Sequence, residues 1–170
     1  MNTARSEALL ARFKGRTPAS VTRVIRYSQA IAGEPEEVFP LLCPTREADW
    51  LPGWEAELIS TESGFAEEWC VFGTMDENLT GPGVWVFARH EAPELVDIVR
   101  FSPPVLVRIR IVLKEGDSQR TEIHWEYTLT GLTSEGNEIV ERLAGAMPDT
   151  IKGATEALDH YIRTGELASG

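Results

Sequence analysis

Residues 105–114, Val-Leu-Val-Arg-Ile-Arg-Ile-Val-Leu-Lys, and residues 121–130, Thr-Glu-Ile-His-Trp-Glu-Tyr-Thr-Leu-Thr, decide the fold. Both alternate. Val105, Val107, Ile109, Ile111 and Leu113 share one side against Arg108, Arg110 and Lys114, and Ile123, Trp125, Tyr127 and Leu129 oppose Glu122, His124, Glu126 and Thr128. A period of two with one apolar side predicts a pair of β-strands, wet on one face and covered on the other. The cover follows at once in the chain. Ile139, Leu143, Met147, Ile151, Ala154, Leu158 and Ile162 recur at steps of three and four, one stripe of a long helix. Thr133 or Ser134 is suited to its N-cap and Gly165 to its stop, while Pro148 should bend or break it near residues 144–148.

Working toward the N-terminus, four more strands are predicted at Trp54–Thr61, Glu68–Thr74, Gly83–His90 and Leu95–Phe101. The breaks between strands are Ser63-Gly64, Gly81-Pro-Gly83, Ala92-Pro93, Pro103-Pro104 and Glu115-Gly-Asp117, too short for parallel crossovers. Val24–Ile31 adds a first strand, with Ile25, Tyr27 and Ile31 on one side. Between the first and second strands, Glu34, Pro35, Glu36 and Glu37 open a short helix whose apolar side is Val38, Phe39, Leu41 and Leu42. Pro40 should make it irregular and Pro44 should end it, and a second small helix is expected over Thr45–Trp50, before the Pro52-Gly53 turn. The class is therefore α+β: a curved antiparallel seven-stranded sheet around a long C-terminal helix, with two short helices after the first strand.

The 170 residues suit one domain, read as a basic lead-in over 1–20 followed by a single domain over 21–166. No apolar run is long enough for a transmembrane helix, so no integral membrane association is expected. The net charge is −11, yet residues 1–26 hold a balance of +5, leaving −16 for the remainder. So acidic a body repels phosphate backbones and argues against nucleic acid as a partner. The lead-in, with Leu9, Leu10 and Phe13 on one edge, reads as a frayed helix rather than a presequence or binding arm. Cys43 and Cys70 form no disulfide framework and suit a reducing cytoplasm.

Four segments carry a resemblance: Ala32-Gly-Glu-Pro-Glu-Glu-Val-Phe-Pro-Leu-Leu42, Asp49-Trp-Leu-Pro-Gly-Trp54, Thr130-Gly-Leu-Thr-Ser-Glu-Gly-Asn137 and Tyr161-Ile-Arg-Thr-Gly165. Together with the element order over about residues 22–166, they resemble the START-like superfamily, also called SRPBCC or the polyketide cyclase/dehydrase and lipid-transport group. The resemblance implies a helix-grip (START-like, Bet v 1-like) fold enclosing a deep, mostly apolar cavity. It implies no shared catalytic motif, because such proteins include carriers, sensors, aromatase/cyclases and chaperone activators.

Five tryptophans are the most suggestive feature, and Trp54, Trp69, Trp85 and Trp125 fall on predicted strands. The candidate ligand-binding residues are Trp50, Phe72, Trp85, Phe87, Trp125, Tyr127 and Met147; taken singly each also reads as ordinary core, the favoured reading for all but Trp50, and it is as a set that they suggest a cavity. Trp50 is a candidate gate, and Met147 beside Pro148 a candidate wall under a helix bend. No catalytic residue is assigned. His124 and Glu126 share the wet face and lack a third ligand for a metal; Cys70 shows no sign of activation; no cofactor motif is present. Arg89 or Arg100 would fix an anionic ligand group if turned inward. The leading expectation is a cytoplasmic domain that binds a small hydrophobic or amphipathic ligand as a carrier or sensor. The alternatives are a cyclase/aromatase- or dehydratase-like enzyme, which needs a buried ionisable group of perturbed pKa, and a chaperone-activator-like protein-binding module. The oligomeric state is left open.

Overall fold

A computed structural model describes residues 20–76 and 81–168. The lead-in reading, including Leu9, Leu10 and Phe13, lies outside the described residues. In chain order the elements are β1 (Thr22–Ala32), α1 (Pro35–Val38), a 3-10 turn (Phe39–Leu42), α2 (Pro44–Glu47), β2 (Ala56–Ser60), β3 (Val71–Asp76), β4 (Gly81–Glu91), β5 (Leu95–Ser102), β6 (Val105–Glu115), β7 (Arg120–Gly131) and α3 (Ser134–Thr164). The strands form one seven-stranded antiparallel sheet in the order β1-β7-β6-β5-β4-β3-β2. Consecutive hairpins build β2 through β7, and β1 closes onto β7 from the far end of the chain. This is the expected fold class.

Alternation in β6 and β7 translates directly into burial. Val105, Val107, Ile109, Ile111 and Leu113 are buried, as are Ile123, Trp125 and Leu129 on the strand beside them. Register places Trp125 between Tyr27 and Ile111, and Tyr127 between Ile25 and Ile109. Across this face lies α3, which packs along β1 and β7 and touches β6. Its buried stripe includes Val140, Leu143, Met147, Ile151 and Leu158, and each fully buried aliphatic side chain stabilises the fold by about 1.5–3 kcal/mol. The helix starts where Thr133 Oγ1 accepts from the Gly136 amide at 3.0 Å. It stops where Gly165, at φ 72°, returns its amide to the Tyr161 carbonyl. It runs unbroken through Pro148, contrary to the expected break. One missing amide, at an exposed turn, is outweighed by the apolar face on either side.

The other departures have local causes. Pro44 begins α2 rather than merely ending the preceding turn, because the first helical position needs no amide donor. Pro40 sits in the 3-10 turn, the irregularity expected of it. β3 begins at Val71, and Trp69 lies outside any strand, 68% exposed, with φ 68°. The cause is Glu67. Its carboxylate accepts from Thr61 Oγ1 at 2.7 Å, from the Ser63 amide at 3.2 Å and from the Glu62 amide, which holds residues 61–67 in a loop. These donors hold the Glu67 carboxyl well below its usual range, at about 2. β4 starts at Gly81, so the Gly81-Pro-Gly83 break lies inside a strand. Gly83 leaves room there for the Arg100 guanidinium, which a Cβ would meet at 2.5 Å and displace.

Candidate functional site

Between α3 and the sheet lies a cavity of about 670 Å³. Its floor is the inner face of β3, β4, β5, β6 and β7, with Phe72, Trp85, Ile98, Ile109, Ile111, Trp125 and Tyr127 facing it. The roof is α3, through Met147 and then Gly153, Ala154 and Ala157. The side wall is α2 and the chain after it, Glu47 through Glu55. The space exists because α3 lies over β1 and β7 while the sheet continues to β2, and because the helix turns small residues toward the gap. Pro52, Gly53, Glu55 and Met75 on one side, and Asp149, Thr150 and Gly153 on the other, line the cavity yet are exposed, so the opening lies between them.

The aromatic wall is rigidly held. Phe72 and Trp85 stack at 5.5 Å with planes 7° apart, and Trp54 meets Trp85 edge-on at 6.3 Å. Trp85 Nε1 donates to Thr74 Oγ1 at 2.8 Å, Trp54 Nε1 to the Pro44 carbonyl at 2.9 Å and Trp50 Nε1 to the Leu41 carbonyl at 2.8 Å. Trp50, 2% exposed, is held in the wall by that hydrogen bond. Trp125 differs from these three. Its indole N–H is buried with no hydrogen-bond partner among the described residues, the situation in which a donor costs most.

Six of the seven residues singled out from sequence lie on this wall: Trp50, Phe72, Trp85, Trp125, Tyr127 and Met147. Phe87 does not. It is fully buried behind the wall, packed on Phe72 and His90. The two arginines part company, since β4 and β5 shift register between Phe87 and Arg89. Arg89 turns outward to Glu91. Arg100 turns inward but is absent from the cavity wall; it donates to the Gly81 carbonyl and lies over Trp85, 5.4 Å from the ring centre. His124 and Glu126 sit on the outer face, the first bonded to Ser28 at 2.8 Å and the second to Arg26 at 2.8 Å. Among the described residues no cluster of three or more His, Cys, Asp or Glu is placed to hold a metal ion. Cys70 is buried, which pushes its thiol up, away from a reactive thiolate.

Glu47 is the residue that sequence reasoning missed. It ends α2, lines the cavity beside Trp50, and has no side-chain hydrogen bond or ion pair among the described residues. Its neighbour Arg46 is engaged elsewhere, by Asp49 at 2.6 Å and by Tyr161. Burial pushes the Glu47 carboxyl from its ordinary 4.5 up to about 8, with no donor to offset it. One signal was available: Glu47 lies three residues before Trp50, one helical step on the same side.

No family model matches the chain, and no curated protein matches its sequence. Solved structures do match its shape. Norcoclaurine synthase from Thalictrum flavum superposes with a TM-score of 0.66 at 16% identity, over 86% of this chain and 97% of that one. Ara h 8.0201 gives 0.63 at 12% identity, over 85% and 99%. The Zhui aromatase/cyclase from Streptomyces sp. R1128 gives 0.61 at 13% identity, over 87% and 100%. The chain has the Bet v 1-like helix-grip fold, consistent with the START-like resemblance of its sequence. At these identities the likeness is one of fold. Among the described residues no helix is long and apolar enough to cross a membrane.

Proposed function

We propose that this protein binds a small hydrophobic or amphipathic ligand in the cavity beneath α3, as a carrier or sensor. The observation that carries the reading is the cavity itself: about 670 Å³, walled by Trp50, Phe72, Trp85, Trp125, Tyr127 and Met147. That size and lining suit a drug-sized molecule. The unpartnered Trp125 N–H supports the same reading, since a ligand oxygen beside it would offset its burial. Fold analogy lends weight, because norcoclaurine synthase of the same fold has been solved with dopamine and hydroxybenzaldehyde. The buried free cysteines and the acidic body favour a cytoplasmic setting without nucleic acid as partner.

Native mass spectrometry of the purified protein, set against the denatured sample, tests this directly. A retained adduct lost on denaturation is the expected result and gives the mass of the ligand. An empty protein that also fails to bind any apolar probe would refute the reading.

One observation favours a second reading, an enzyme of the cyclase or dehydratase type. Glu47 is a cavity carboxyl held near 8, the range in which a side chain both takes and returns protons at neutral pH. Such an enzyme would exchange the α-protons of phenylacetone for deuterium, and Glu47→Gln would abolish the exchange while leaving the fold intact.

A further inference from the structure

The ionisable groups around the cavity are unequal in sign. Among its described lining residues are three carboxyls, Glu47, Glu55 and Asp149, and no Lys, Arg or His. They are also placed in sequence along one route. Glu55, on the chain after α2, and Asp149, on α3, both line the cavity and are exposed. Glu47 stands further in, against the indole wall, with no counter-charge. The basic side chains near the cavity are engaged elsewhere: Arg46 with Asp49 and Tyr161, Arg100 with the Gly81 carbonyl behind Trp85, Lys152 with Glu156 on α3, and Arg108 and Arg110 with Asp97 on the outer face.

We propose that the cavity selects ligands carrying a positively charged amine on an aromatic or otherwise apolar body, with Glu47 as the inner counter-charge and Glu55 and Asp149 as the acidic mouth. This rests on the ligand-binding reading above and deepens it. Burial keeps the Glu47 carboxyl protonated up to about 8, and an ammonium placed beside it favours the ionised form, so the pair forms as that proton leaves to solvent. Trp54, half-buried on the same wall, supplies a second attraction, because aromatic rings attract cations. Anionic amphiphiles meet the opposite situation, with like charge at the mouth and no cation on the described wall inside. The orphaned Trp125 N–H is independent of the acids and also asks for a ligand, through an oxygen acceptor.

Three probes with one naphthalene body test the proposal by isothermal titration calorimetry at neutral pH: 2-(2-naphthyl)ethylamine, 2-(2-naphthyl)ethanol and 2-naphthylacetate. The amine should bind roughly tenfold or more tighter than the alcohol, as expected for a hydrogen bond to a charged group. The acetate should bind weakest. Glu47→Gln should remove most of the amine's advantage and leave the alcohol within about twofold, since only charge recognition is lost. Circular dichroism checks the fold of the variant. If the acetate matches the amine, or if the amine keeps its advantage in Glu47→Gln, the charge selection is overturned and ligand binding stands. If none of the three binds the wild-type protein, the ligand-binding reading is overturned and the charge selection with it.

Discussion

Along β1 and toward the two ends of β7, the sheet lies against α3 and is sealed by aliphatic side chains such as Ile123, Leu129, Ile151 and Leu158. Across β3 and β4 the same inner face carries Phe72 and Trp85 and looks into an open volume. The alternation of the strands is alike in both halves, and so is the burial. What differs is the partner: a helix in direct contact on one side, a ring-lined gap on the other. An apolar strand face requires only that water be kept off. Whether a packed helix or a cavity does so depends on where the single long helix lies.

Substitutions separate the two halves. The largest effect is expected from Leu158→Ala on the sealed side, where a cavity opened in close packing costs about 2–5 kcal/mol. Chemical denaturation measures it. A cost below about 1 kcal/mol would show the helix contact to be as loose as the cavity side.

Glu47→Gln probes the cavity side through pH. The folded-state value lies above the ordinary 4.5, at about 8, so the folded protein binds more protons than the unfolded chain between these two values. Wild-type stability should therefore decline as pH rises across that window, by up to about 1.4 kcal/mol per unit, less where water at the mouth screens the charge. The amide does not titrate. The variant should match the wild type in melting temperature at pH 5 and exceed it at pH 9. Parallel curves at both pH values would place the carboxyl in bulk water.

The smallest effect is expected from Ala154→Leu, which adds methyl groups on the roof of the cavity. Stability should hold or rise by about 0.5–2 kcal/mol, as for cavity-filling changes. Affinity for apolar probes should fall, by calorimetry. A loss of stability would mean that the roof is already close-packed, like the sealed half.

Much of this arrangement was readable before the fold was known. Val105–Leu113 and Ile123–Leu129 displayed their buried face, and Thr133 and Gly165 marked the ends of α3. Trp50, Trp85, Trp125, Tyr127 and Met147 reached the wall as aromatic or flexible residues on the covered side. Phe87 shared parity with Trp85 but lies behind the wall, because parity selects a face and not a place on it. Trp69 resembled a strand residue, yet Glu67 gathers the donors of residues 61–63 and leaves the indole outside. Arg89 shared the parity of Phe87 yet points outward, because a register shift between those two residues of β4 changes the count.

Sequence alone determined the elements, their antiparallel order and the apolar face of each, because periodicity and end signals act over a few residues. Tertiary structure decided that α3 stands off half of the sheet, that Glu47, Glu55 and Asp149 meet at one opening, and that no basic group among the described residues joins them there. Those facts depend on distances between segments up to a hundred residues apart. No local pattern records such distances, and the electrostatic cost of an unpaired carboxyl exists only once the surrounding chain has displaced its water.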